Sequence, residues 1–196
     1  MKKSKTDNLD LEKEHTLSIP KYSSTYIDLS SNRVIFIAEP FTKDLASEIT
    51  ALLLHYDRES NEDITIYIHS DGGDISALLN IYDIMRLTQS PITTVAMGKA
   101  YSAGAFLLMA GDYRMAFAHS EIMIHGAQFF FPLPGKEHID DGKDYLKFVD
   151  RSNEQVMRIM VEATGKTMEQ VKEICSKDRY LTAKEALEYK LIDAII

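Results

Sequence analysis

Ile92-Thr-Thr-Val-Ala-Met-Gly-Lys-Ala-Tyr-Ser-Ala-Gly-Ala-Phe-Leu-Leu-Met-Ala110 is the stretch that decides the fold class of this 196-residue chain. Ile92 to Met97 is apolar and rich in β-branched residues, the composition of a buried strand. Gly98 to Gly104 is a turn of small residues, and Ala105 to Ala110 is an apolar helical segment. A buried strand that feeds a helix through a tight turn is the unit of an α/β protein.

The same unit repeats on either side. Upstream, Arg33-Val-Ile-Phe-Ile-Ala38 reads as a strand, and Thr42 can cap a helix whose apolar residues Leu45, Ile49, Leu52 and Leu53 recur at helical spacing. Ile64-Thr-Ile-Tyr-Ile68 is a second strand. It runs through the turn Ser70-Asp-Gly-Gly-Asp74 into a helix carrying Ala77, Leu78, Ile81, Ile84 and Met85, which Pro91 stops. Downstream, strands are expected near Arg114–Ala118 and Glu121–His125. A long amphipathic helix should run from about Asp140 to Ala163, with Gly165 as its C-terminal stop. Thr167/Gln170 and Thr182/Glu185 fit capping boxes opening two short helices, and Leu191 to Ile196 would be a final strand. Together these units predict a mainly parallel sheet flanked by helices. Residues 1–20 are polar and aperiodic, a flexible arm before a single domain over 21–196.

Composition narrows the function. A net charge of -8 argues against general nucleic-acid binding, because an acidic surface repels phosphate backbones. One cysteine, Cys175, allows no intrachain disulfide and suits a reducing compartment. The basic start is followed by Asp7, Asp10, Glu12 and Glu14 where a signal peptide needs apolar residues, and no apolar run approaches membrane-spanning length. The expectation is a cytoplasmic protein with no membrane contact.

Ser102 stands between a strand end and an apolar helix, among Ala100, Ala103, Gly104 and Ala105. Small neighbours leave its hydroxyl accessible, and the helix start directs N–H groups toward a developing oxyanion. An ordinary N-capping serine has the same surroundings. His125 ends the run Ile122-Met-Ile124, where it can reach a cleft or serve as a core histidine bonded to a carbonyl. His55, His69 and His119 are placed less suggestively, and His15 and His138 read as solvated. Asp178, beside Arg179, reads as a turn or surface charge unless it has partners. A serine needs a base to take its proton, and that base needs a carboxylate to hold its tautomer. The chain supplies all three residue types. The Gly72-Gly73 pair is either a tight turn or half of an oxyanion hole completed by the Ala103 N–H.

Taken together, Ser70-Asp-Gly-Gly73, Gly98-Lys-Ala-Tyr-Ser102, Met123-Ile-His125 and Asp178-Arg-Tyr-Leu-Thr182 resemble the motifs of the Clp protease proteolytic subunit family. Glu185-Ala-Leu-Glu-Tyr-Lys-Leu-Ile-Asp193 extends the resemblance to the C-terminus, so that it covers roughly residues 25–196. It implies an α/β crotonase-like fold of repeated ββα units with an outlying helical handle, here about 127–163. It implies a serine endopeptidase with Ser102 as nucleophile, His125 as base, Asp178 as the acid, and Gly73 and Ala103 as oxyanion donors. It also implies homo-oligomeric heptameric rings stacked in pairs, fed with unfolded polypeptide by an AAA+ ATP-dependent unfoldase. No cofactor and no metal are expected in the subunit.

Against that pattern, Asp71 replaces a usual proline, which should leave the lead-in to the oxyanion turn less fixed. Ala103 replaces a methionine, Gly126-Ala127 replaces Gln-Pro, and Lys190 replaces a helix-ending glycine. Ser176-Lys177 stands where an acid–arginine pair links the rings, while Thr65 and Leu87 replace docking aromatics of which Tyr67 remains. Phe129, Phe130, Phe131 and Leu133, with Pro132 and Pro134, interrupt a glycine-rich strand and suggest an apolar ring contact instead. Folding back onto Tyr145 and Phe148 is the plainer outcome for those side chains. Two rival functions remain: a crotonase-type acyl-CoA enzyme, and a noncatalytic ring subunit.

Overall fold

In the computed structural model, residues 32–126 and 139–196 are described, with side chains from 146 onward in the second stretch. The N-terminal arm, the Phe129–Gly135 segment and Tyr145's packing lie outside the described residues.

Seven strands and six helices occur among them. The strands are β1 (Val34–Ile37), β2 (Ile64–Ser70), β3 (Ile92–Tyr101), β4 (Tyr113–Ala116), β5 (Glu121–Ile124), β6 (Arg179–Thr182) and β7 (Ala194–Ile195). The helices are α1 (Lys43–Glu59), α2 (Ile75–Leu87), α3 (Ala103–Met109), α4 (Ile139–Thr164), α5 (Met168–Ile174) and α6 (Ala183–Glu188). The sheet runs β1-β2-β3-β4-β7, all parallel, as the repeated strand–helix units predict. β5 pairs with β3 in parallel and β6 pairs with β5 antiparallel, off the main path.

The caps follow from sequence. Thr42 Oγ1 accepts from the Leu45 N–H at 3.2 Å, and Asp74 Oδ1 accepts from Ala77 N–H at 2.8 Å, each satisfying a donor that a helix start leaves orphaned. Both capping boxes form, at Thr167/Gln170 and Thr182/Glu185. Leu45, Ala46, Ile49, Leu53 and Tyr56 form the buried stripe of α1 and pack with Ile35, Ile37, Ile66, Ile68, Leu78 and Ile81 in one core. Arg33 is buried, and its guanidinium donates to Tyr56 O at 2.7 Å, Glu62 O at 2.8 Å and Ser90 Oγ at 2.8 Å. One cation thus ties the start of β1 to the end of α1 and the loop before β3, with its donors paired as a buried charge requires.

β3 forks the sheet. Thr93 to Ala96 pair with β4, whereas Lys99 to Tyr101 pair with β5. Gly98, at φ 79°, makes the bend, and the buried Ser120 hydroxyl plugs the split, donating to Ala96 O at 2.8 Å and accepting from Gly98 N–H at 3.1 Å. The strand therefore continues to Tyr101, beyond the turn expected from Gly98.

The connector expected around residues 176–182 contains β6. The terminal strand is only Ala194–Ile195, because Leu191 and Ile192 turn into the core behind α6. Lys190 takes φ 64° just past α6, the left-handed conformation that favours glycine at this point. α4 ends at Thr164 with Gly165 at φ 69°, as expected.

Candidate active site

The fork of β3 brings the candidate residues together. Beyond the β5–β6 pair Ile124↔Arg179, the antiparallel register sets His125 opposite Asp178. The Ser102 N–H donates to Met123 O at 2.8 Å, fixing the end of β3 against β5. Ser102 Oγ lies 2.8 Å from His125 Nε2, and His125 Nδ1 lies 3.3 Å from Asp178 Oδ1. His125 is mostly enclosed, while Asp178 is about half exposed, with 14% and 49% of their side chains accessible. His125 Nδ1 is buried and makes no formed hydrogen bond among the described residues, so the carboxylate is near but not yet aligned. A carboxylate beside Nδ1 favours the tautomer with its proton there, which leaves the Nε2 lone pair for the serine hydroxyl.

Ser102 is not an ordinary capping serine. It precedes α3 but makes no side-chain cap bond, and its backbone sits at φ 51°, ψ -119°. Those angles match the first central residue of a type II′ turn, a position glycine dominates. A side chain forced there stores strain of roughly 1–3 kcal/mol and projects from the turn.

The glycine turn between β2 and α2 lies against this one. A Cβ on Gly72 would come within 2.7 Å of Ser102 Cβ, 2.8 Å of Tyr101 O and 3.0 Å of Ala103 N. A Cβ on Gly73 would fall 2.5 Å from Phe41 O, and its neighbours are tied to Phe41 by Phe41 N–H to Gly72 O and Asp74 N–H to Phe41 O, both 2.9 Å. Neither the Gly73 nor the Ala103 N–H has an acceptor among the described residues. Two unspent donors beside a serine hydroxyl are the chemical requirement for holding an oxyanion.

Asp71 changes the expectation about this turn. Lys99 Nζ, on β3, lies 2.6 Å from both Asp71 carboxylate oxygens. An ion pair therefore ties the lead-in to the strand that carries Ser102, although its exposure limits its stabilisation to about 1 kcal/mol or less.

Other candidates fall elsewhere. His69 Nδ1 bonds Met97 O at 2.6 Å on an exposed face, and His55 pairs with Glu59 on α1. Cys175, the C-cap of α5, is buried against Met160, and burial pushes its thiol up to about 11, which suits packing rather than nucleophilic work. A cavity of about 550 Å³ lined by Tyr82, Arg86, Asp112, Arg114 and Glu162 contains no residue of the Ser102 site. Among the described residues no group of three or more His, Cys, Asp or Glu is arranged to hold a metal, and no helix is long and apolar enough to cross a membrane. Lys99, Tyr101, Glu121 and Tyr180 border the site without any signal in sequence, since each matters through a partner distant along the chain.

Comparison with known proteins identifies the family. The family model described as Clp protease matches residues 19–196. The chain is 35% identical over 181 residues to an ATP-dependent Clp protease proteolytic subunit 2 from Prochlorococcus marinus (strain NATL2A), covering 90% of this chain and 88% of that one. With the family model spanning all of the described residues, the chain belongs to the Clp protease family, peptidases built on the α/β crotonase-like fold.

Proposed function

We propose that this chain is a serine endopeptidase subunit acting through an acyl-enzyme on Ser102. The observation that carries the reading is the chain of contacts from Ser102 Oγ through the His125 ring to Asp178, with 2.8 Å on one side and 3.3 Å on the other. His125 Nε2 takes the hydroxyl proton as Oγ attacks the peptide carbonyl carbon. The carbonyl oxygen becomes an oxyanion held by the Gly73 and Ala103 N–H groups. Asp178 stabilises the imidazolium and swings into line with Nδ1–H as that charge forms. Collapse breaks the C–N bond, and the His125 proton leaves with the amine. Water, deprotonated by His125, then frees the acid from Ser102. None of these steps calls on a metal or cofactor.

The name of the 35%-identical relative, an ATP-dependent proteolytic subunit, supports the wider proposal. In it, residues 21–196 form one peptidase domain behind an N-terminal arm. The subunits assemble as paired heptameric rings in the cytoplasm, and an AAA+ unfoldase delivers unfolded polypeptide. Turnover of a fluorogenic peptide by the assembled protein tests the reading. Wild type should release fluorophore, and Ser102→Ala should lose about three or more orders of magnitude in kcat/KM. Thioester turnover without peptide turnover would favour an acyl-CoA enzyme, and inertness toward both would favour a noncatalytic ring subunit.

A further inference from the structure

The row of side chains one step inside the Ser102 site forms a connected unit. Across the fork, Tyr101 on β3 is in register with Met123 on β5, which is in register with Tyr180 on β6. Tyr101 immediately precedes Ser102, Met123 lies two residues before His125, and Tyr180 lies two residues after Asp178. The Tyr101 hydroxyl donates to Glu121 Oε2 on β5. The Tyr101 ring meets the Tyr180 ring edge to face, with centroids 5.7 Å apart and planes at 89°. One side chain thus touches both of the other strands that carry the site.

We propose that Tyr101, anchored by Glu121 and Tyr180, is a positioning residue that holds Ser102, His125 and Asp178 in reacting geometry; this rests on the peptidase reading above. A residue at φ 51°, ψ -119° keeps that conformation only where its surroundings over-determine it. On its helix side Ser102 is held because its carbonyl accepts from Ala105 N–H at 2.9 Å and Phe106 N–H at 3.1 Å. On its strand side the neighbouring residue is Tyr101, whose side chain is fixed at its far end by the Glu121 carboxylate. Without that anchor the Ser102 N–H bond to Met123 O is left as the hold on the peptide between residues 101 and 102, and strain can shift that peptide and carry Oγ away from Nε2. The Tyr180 contact does the parallel work for β6. Tyr180 is half exposed, and its edge-to-face contact with Tyr101 holds the strand whose spacing from β5 sets the separation of His125 and Asp178. Bonding to Glu121, with a smaller contribution from burial, pushes the Tyr101 phenol up to about 12, so it remains a donor at any working pH.

A purely structural role would cost stability and leave the chemical step alone, so the test separates kcat from KM and from melting temperature. With a short fluorogenic peptide and the assembled protein, Tyr101→Phe should lower kcat about five- to tenfold, with KM within twofold and thermal stability nearly unchanged. Tyr101→Ala, which also loses the ring contact, should lower kcat by about two orders of magnitude. Glu121→Gln keeps an acceptor oxygen and should retain at least about half of wild-type kcat, whereas Glu121→Ala should match Tyr101→Phe. Wild-type kcat in both Tyr101 variants overturns the proposal, as does a loss carried by KM or matched by a fall in melting temperature. A crystal structure of Tyr101→Ala decides independently of activity. Lengthening of the Ser102–His125 or His125–Asp178 contact supports the positioning role, and unchanged distances overturn it. If wild type hydrolyses no peptide, the peptidase reading has failed, and those distances alone decide the positioning claim.

Discussion

The two halves of β3 are built on opposite terms. From Ile92 to Ala96 the strand lies between β2 and β4, with Ile92, Val95 and Ala96 buried and the buried Thr94 hydroxyl satisfied by Leu108 O at 2.6 Å. The buried groups there are packed or paired, the arrangement that favours stability. Beyond Gly98 the strand leaves β4 for β5, and Lys99 and Tyr101, only partly buried, face polar partners on the Asp71 turn and on β5. It ends at Tyr101, one residue before the strained Ser102, whose hydroxyl is directed at His125, with the Gly73 and Ala103 N–H groups lacking an acceptor among the described residues. One strand therefore divides the work. Its first half anchors the core, and its second half carries the strained Ser102 turn and the groups proposed to react.

The division has consequences of decreasing size. Asp178→Asn replaces the carboxylate with an amide that can favour the wrong His125 tautomer. Peptide kcat should fall by roughly three to four orders of magnitude with the melting temperature unmoved. Near-wild-type turnover would mean that Asp178 does not orient His125. In the proximal region the pattern should invert. Ile66, fully buried on β2 beside the first half of β3, should cost about 2–5 kcal/mol when cut to alanine. Activity per folded particle should barely change, as denaturant melts and peptide kinetics on one sample would show. Ser102→Gly should abolish turnover yet raise stability by about 1 kcal/mol, because glycine accepts φ 51° without strain. A destabilised glycine variant would remove strain from the account.

The smallest effect is electrostatic and belongs to the core side. Hydrogen bonds from the Arg114 side chain and backbone hold the Asp193 carboxyl below the usual carboxylate range. A depressed folded value stabilises the protein above the unfolded value of about 3.9 and is lost as pH falls through the folded one. Asp193→Asn should therefore flatten the decline in stability below about pH 4, measured by thermal melts across pH. An unchanged acid slope would assign that decline to other carboxylates, among them Asp57, which is lowered chiefly by the Ser90 backbone N–H.

Legibility in sequence followed the same division. The proximal strands and α1 were readable because burial on one or both faces writes a period of 2 or 3.6 into the residues. The capping boxes were readable because three-residue spacing is local. β6 was not, since Arg179-Tyr-Leu-Thr182 buries only Leu181 and its last residue is also the cap of α6. In the sequence Asp178 reads as a surface charge and only the family resemblance gives it a role, because His125 is brought near it only by the β5–β6 register. Lys99 with Asp71 and Tyr101 with Glu121 are pairs 28 and 20 residues apart, invisible to any pattern that follows spacing. Lys190 shows the converse: tertiary packing of Leu191 and Ile192 held a left-handed position for a residue that ordinarily avoids it.

The central claim is that Ser102 is the nucleophile, and covalent labelling tests it most directly. The assembled wild-type protein should be treated with a serine-directed fluorophosphonate, digested and mapped by mass spectrometry. A single phosphonylated residue, Ser102, is expected, labelled at a rate that collapses in His125→Ala while the fold persists. Label on any other serine, or labelling of Ser102 at an equal rate without His125, would contradict it.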